Sequence, residues 1–155
     1  MKLSSQAQAI LQRIEYATLA TVDEHGHPWN APVYCAYDQD YNFYWRSYAE
    51  SQHAQNIRNN AQVFLSIYDS TATAGTGEGV YIQARCGELS TSEDMTIAHQ
   101  LIQGRRAPVP YWKRSQFQPA GDIRLYKATP ERIWTNGEDH VAGTYIDIRV
   151  NAEER

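Results

Sequence analysis

Residues 79 to 89 alternate without a break, with Val80, Ile82, Ala84 and Cys86 on one parity and Tyr81, Gln83, Arg85 and Gly87 on the other. A period of two sends successive side chains to opposite faces, so this stretch is a strand whose apolar face needs a core to cover. The same parity recurs in Val63, Leu65 and Ile67 of a strand expected over 61–68, and in Ile146, Ile148 and Val150 of one expected over 144–150. Further strands are predicted over 16–22, 29–37, 41–46, 122–128 and from 132 to Asn136-Gly137, with turn residues at 23–28, 38–40 and 129–130 between them. Strands on short links with only three helices predict a mainly β fold with flanking helices. That means an antiparallel barrel or rolled sheet, not a doubly wound one. The 155 residues form one domain over 1–155, with no internal repeat, low-complexity stretch or linker; residues 151–155 read as a solvated tail.

The first helix can be capped by Ser4 or Ser5, carries Ala7, Ile10, Leu11 and Ile14 on one face, and ends near Glu15. The third opens on Ser90-x-x-Glu93, which fits a capping box, has a stripe of Met95, Ala98, Leu101 and Ile102, and stops at Gly104 and Pro108. His99 on that helix reads as a solvated or capping residue.

Between them, the aromatic strand end Phe43-Tyr44-Trp45 runs straight into a polar helix. Ser47-x-x-Glu50 fits a capping box there, and Ser51 offers a second cap. Free N–H groups and the positive end of the helix dipole favour an anion at such a junction, and Arg46 and His53 flank it. A phosphate is the expected occupant, with an ordinary capped helix as the alternative. Upstream, Pro32 cannot donate to a ladder, so the backbone around Ala31 to Val33 is open to a ligand or lies at a sheet edge.

Fourteen basic against eighteen acidic residues, a net charge of −4, argue against nucleic acid or an anionic membrane as the main partner. The basic and aromatic residues mixed over 105–118 therefore read as a loop wrapped over the domain or a partner. Eleven Tyr and four Trp suit sheet surfaces, interfaces and stacking on a planar ligand. The N-terminus lacks the apolar run of a signal peptide and no stretch approaches a membrane span, so a cytoplasmic location is expected. Cys35 and Cys86 fall on apolar parities and read as buried free thiols. His25 and His27 share a turn with no third ligand in reach and are assigned no role. The glycines of 69–78 meet neither dinucleotide nor P-loop patterns, which leaves a loop or flap. No serine–histidine–acid or paired-carboxylate constellation is legible.

Taken in order, Ala17-Thr18-Leu19-Ala20-Thr21-Val22-Asp23-Glu24-x-Gly26-x-Pro28, Pro32-Val33, Phe43-Tyr44-Trp45-Arg46-Ser47 and Ser51-x-His53-Ala54-x-Asn56-Ile57-x-x-Asn60 resemble the pyridoxamine 5'-phosphate oxidase-like family. The strand over 79–89 and the stretch from Arg124 to Trp134 resemble that family's later strands. The resemblance implies an FMN-binding split β-barrel and a homodimer with two flavins at the subunit interface. It implies that Ala31, Pro32 and Val33 present backbone to the flavin ring, and that Trp45, Arg46 and Ser47 follow the ribityl chain and phosphate. Ser51, Gln52 and His53 stand at the phosphate, and Trp134 matches an aromatic set against the partner subunit's flavin.

Two departures accompany the resemblance. Ala31 stands where the oxidases carry an arginine, and Gln52 and His53 replace a basic pair, which bears on phosphate affinity. Trp134 is followed by Thr135-Asn136-Gly137 rather than the arginine and histidine that hold pyridoxamine phosphate, so that compound is not the expected substrate. The function implied is an FMN-dependent oxidoreductase acting on another small molecule. The alternatives are a non-catalytic carrier of flavin, haem or deazaflavin on the same barrel, or a β-domain without a ligand.

Overall fold

A computed structural model of the chain describes residues 2–105, 114–117, 121–141 and 144–153. Within them the order is α1 (Ser5–Arg13), β1 (Tyr16–Val22), β2 (Pro28–Tyr37), β3 (Phe43–Tyr48), α2 (Gln52–Asn59), β4 (Gln62–Tyr68), β5 (Gly79–Glu88), α3 (Ser92–Gln103), a 3-10 turn (Arg114–Phe117), β6 (Ile123–Val141) and β7 (Thr144–Asn151). The strands lie in the order β3-β2-β1-β4-β5-β6-β7, all antiparallel, and β3 also pairs with β6. That extra pairing closes a six-stranded antiparallel barrel and leaves β7 as an extension on the far half of β6. Most of the segment over 105–118 lies outside the described residues.

Parity decides which side chains fill the barrel. Leu19, Val33, Trp45, Leu65, Ile82 and Ile133 point inward with Cys35 and Cys86, and both cysteines are buried free thiols. The opposite face of β2, β3 and β6 supplies a second core, where Ala36, Tyr44, Ile123 and Leu125 meet Ala98 and Ile102 of α3 and Phe117. α3 thus lies against the outside of the barrel, while α2 and α1 join the inner core through Ala54, Ile57, Ala7, Ile10 and Leu11.

Four local expectations are corrected. Ser47 does not cap a helix: β3 continues to Tyr48 because Arg46, Ser47 and Tyr48 pair with Leu125, Arg124 and Ile123 of β6, and a cap at Ser47 would forgo those rungs. The helix therefore starts after Ser51. On α3 the cap is Thr91 rather than Ser90; its hydroxyl accepts from Asp94 N–H at 3.1 Å and donates to the Asp94 carboxylate at 2.6 Å, a box shifted by one residue. Thr129-Pro130 is not a turn. Gln83 pairs with Arg132 and Ala84 with Pro130, leaving Glu131 as a bulge in one long strand, a position that tolerates proline. Nor are the last described residues a solvated tail: Ala152 is buried, donates to Ile133 O at 2.9 Å and accepts from Ser4 N at 2.8 Å, while Leu3 pairs with Glu153.

Candidate cofactor site

β2 and β3 share only three rungs, Cys35 with Trp45, Ala36 with Tyr44 and Tyr37 with Phe43. Beyond Trp45, β3 follows β6, whereas β2 from Pro28 to Tyr34 stays with β1 alone. The barrel wall therefore splits between Tyr34 and Arg46. Cys35 N–H donates to Glu15 O at 3.0 Å. Strand alternation then turns the peptide groups of Val33 and Ala31 toward β1 and those of Tyr34 and Pro32 toward the split. Proline there offers a carbonyl and no competing N–H.

α2 is set against this split by buried polar contacts. Asn56 Nδ2 donates to Thr21 Oγ1 at 2.9 Å, tying the helix to β1, and Gln52 Nε2 donates to Asn56 Oδ1 at 2.8 Å. Ala54 and Ile57 are buried on the same face. Ser51 occupies the N-cap without spending its side chain on the helix; its Oγ donates to Tyr48 O at 2.8 Å. First-turn N–H groups of α2 thus receive no cap from the serine, the condition under which a helix start binds an anion.

Beside that start, His53 Nε2 lies 2.7 Å from Ser47 Oγ and 3.2 Å from Ser51 Oγ. Burial alone lowers the His53 pKa, so the ring is neutral at neutral pH and can exchange either role with the two hydroxyls. Among the described residues the ring meets two hydroxyls and no carboxylate, unlike the histidine of a hydrolytic triad. The cluster is a set of neutral hydrogen-bonding groups converging on an uncapped helix start.

Of the residues singled out in the sequence, Ser47, Ser51 and His53 come together directly, with Gln52 beside them but committed to Asn56. Of Ala31, Pro32 and Val33, only Pro32 turns its peptide toward the split; Ala31 and Val33 pair with Leu19 and Ala17 of β1, which corrects the expectation that all three present backbone to a ligand. Trp45 is fully buried and stacks on Tyr126 at 5.7 Å between ring centroids, so only its backbone reaches the opening. Arg46 shares the outward parity of Tyr44 and is half-buried on the α3 side, on the opposite face of β3 from Ser47. Trp134 stands on the outer face of β6 and stacks on Phe64 at 6.3 Å. Phe64 was not singled out in the sequence, although its place opposite the Val63, Leu65 and Ile67 parity marks it as an outward aromatic. His25 and His27 sit on an exposed turn where Asp23 Oδ1 accepts from both their N–H groups and Gly26 takes a φ of +85°.

The sequence match to the family model for pyridoxamine 5'-phosphate oxidase runs over residues 3–137, from α1 through most of β6. The chain belongs to the pyridoxamine 5'-phosphate oxidase family. Solved structures agree with that membership at the level of fold. The haem storage protein HutZ of Vibrio cholerae superposes with a TM-score of 0.70 at 19% identity, covering 86% of this chain and 94% of its own. A FAD-binding protein of Mesorhizobium loti gives 0.61 at 17%, with 86% and 94% covered. A haem-binding protein of Mycobacterium smegmatis gives 0.67 at 14%, with 96% and 59% covered. Compared with curated proteins by sequence, the chain matches none. The family fold thus carries flavin in one of these structural neighbours and haem in others, and likeness at this identity speaks for the fold alone. Among the described residues no helix is long and apolar enough to cross a membrane.

Proposed function

We propose that the chain binds FMN in the β2–β3 split and acts as an FMN-dependent oxidoreductase on a small molecule other than pyridoxamine phosphate. The observation that carries this reading is the Ser47–His53–Ser51 cluster at the uncapped start of α2. Its hydroxyls, imidazole and first-turn amides match the donor set a phosphate monoester needs. In this reading Ser47, Ser51 and His53 hold the phosphate, Gln52 braces the helix through Asn56, and the β2 backbone at Pro32 and Tyr34 faces the flavin ring. FMN supplies hydride transfer at its ring; the protein supplies position, burial and hydrogen bonds.

The second subunit completes the site in the same reading. On the outer face of β1 and β4, Thr18, Ala20 and Ser66 are small, and around them stand Phe64, Trp134, Tyr81 and Tyr68. Phe64 and Tyr68 expose 37% and 46% of their surfaces, unusual for aromatic rings unless something covers them. A second copy laid on this face brings Trp134 to the partner's flavin.

A non-catalytic carrier on the same barrel is the second reading. It draws support from the haem proteins among the structural neighbours. An absorption spectrum of the purified protein, taken before and after FMN addition with unbound flavin removed, separates the two. Retained flavin bands support FMN binding, and turnover with reduced nicotinamide and an acceptor supports the enzyme. A protein that stays colourless with FMN but binds haem supports the carrier.

A further inference from the structure

The barrel wall opens a second time, between β1 and β4. These strands share only three rungs, Thr18 with Ser66, Leu19 with Leu65 and Ala20 with Phe64. Past Thr18, β1 stays with β2 through Ala17 with Val33 and Tyr16 with Tyr34, while β4 stays with β5 through Ile67 with Val80 and Tyr68 with Gly79. Tyr16 and Tyr68 would face each other at the next outward position of the ladder; instead they flank a cleft of about 310 Å³. Ala17 and Ile67 are buried in the core beneath it, which gives the cleft a floor. The Thr18 hydroxyl donates to Ser66 O at 3.2 Å and closes it at the last rung. Tyr16, the more open of the two walls at 58% exposure, is set in place by its edge contact with Tyr34 at 5.5 Å between ring centroids.

The charges around this cleft have a sign. One guanidinium, Arg13, and two carboxylates, Glu15 and Asp69, line it, an excess of one negative charge. Asp69 is fixed there, since its Oδ1 accepts from the Thr71 hydroxyl at 2.7 Å and from Thr71 N–H at 2.9 Å, bonds that keep the carboxyl ionised. Tyrosine faces are electron-rich and attract flat rings, cationic ones most strongly.

We infer that the cleft between Tyr16 and Tyr68 binds a small, flat aromatic cation, its ring against the two tyrosines and its charge toward Asp69. Ser66 and Ser70, which also line the cleft, offer hydroxyls to ring substituents. Pro32 lines the same cleft and turns its peptide toward the β2–β3 split, so the occupant lies one residue's width from the cofactor site. That this cation is the substrate rests on the cofactor reading; that it binds here does not. A second copy on the outer face of β1 and β4 would roof the cleft at Thr18, Ser66 and Tyr68.

Calorimetric titration of the full chain without flavin tests the site, using three rings of one shape: cationic N-methylquinolinium, neutral quinoline and anionic quinaldate. Saturable binding of the cation is expected, weaker binding of quinoline and none of quinaldate. Tyr16→Ala and Tyr68→Ala, both at exposed side chains, should each weaken the cation by about two- to thirtyfold, the span of a cation–π contact, whereas Tyr16→Phe and Tyr68→Phe should keep it. Asp69→Asn, which can still accept from Thr71, should narrow the preference for the cation over quinoline. The inference is overturned if the wild type does not bind N-methylquinolinium, as when a partner's side chain fills the cleft, or if quinaldate binds as tightly. It is also overturned if a folded Tyr16→Ala, Tyr68→Ala double variant binds the cation as the wild type does. Because flavin is absent throughout, a protein that takes the cation but not FMN upholds the cleft and removes only the cofactor reading.

Discussion

His53 Nε2 and Ser47 Oγ lie 2.7 Å apart although one belongs to α2 and the other to β3, and the contact joins the two elements at the mouth of the split barrel. If a phosphate sits there, its charge favours the imidazolium form of His53, and binding takes up a proton. The free ring starts with a lowered pKa and the phosphate charge raises it, so affinity climbs as pH falls from the pKa of the complex to the lowered value of the free ring. FMN affinity should therefore rise as pH falls from neutral, and His53→Gln should remove that part of the slope. A wild-type titration that is flat between about pH 5.5 and 8.5 would take His53 out of the site.

The same lowered pKa acts on folding. His53 and His99 are both held neutral, His53 by burial and His99 by burial and then by the charge of Arg46. In the unfolded chain they bind protons at about pH 6.5, before the folded chain does, so stability is full above that pH and declines as pH falls through the lowered values. Urea midpoints measured at stepped pH should drop on acidification, and less steeply in a His53→Gln, His99→Gln double variant.

Asn56 holds α2 to β1 through a buried hydrogen bond to Thr21 at 2.9 Å and accepts another from Gln52. Asn56→Ala leaves the Thr21 hydroxyl buried without that partner and should cost about 1–3 kcal/mol in chemical unfolding. FMN affinity should weaken with it, since α2 is less firmly placed. Unchanged stability would mean that α2 does not depend on this tie.

Trp45 is a core residue by position, fully buried against Tyr126. Trp45→Ala should cost about 3–5 kcal/mol, the range of a large-to-small change in a packed core. Trp45→Phe, where it folds, should keep FMN affinity close to wild type. A selective loss of flavin in a stable Trp45→Phe would place the indole at the ligand instead.

The outward pair Phe64 and Trp134 should mark the dimer face. Trp134→Glu, which introduces a charge into that aromatic patch, should shift the native mass from two chains to one in light scattering, with the circular dichroism of the barrel retained. A wild-type protein that runs as a monomer would remove the second subunit from the site.

Much of this architecture is legible in the residue pattern. β1 is expected over 16–22 and found there, and the alternation of 79–89 becomes β5 with one residue fewer at its end. Failures concentrate where long-range pairing overrides a valid local signal. Ser47-x-x-Glu50 is a legitimate capping box, yet β6 recruits Ser47 into a strand. Thr129-Pro130 is a legitimate turn signal, yet a bulge at Glu131 absorbs it. The face that Arg46 presents depends on the first of these: if the chain had left the strand before Ser47, Arg46 could have turned to the helix start. Once β3 runs on to Tyr48, parity sends it to α3. The residue types were thus readable, while the face that each presents required the strand register.

The most direct test of the cofactor site compares FMN with riboflavin, which lacks only the phosphate, by fluorescence titration of the purified protein. The Ser47–Ser51–His53 cluster predicts tighter FMN binding by at least about tenfold, since charge-assisted hydrogen bonds contribute roughly 1.5–3 kcal/mol. That margin should collapse in a Ser47→Ala, His53→Gln double variant that remains folded. Equal affinities for FMN and riboflavin in the wild type, or no binding of either, would contradict a phosphate site at the start of α2.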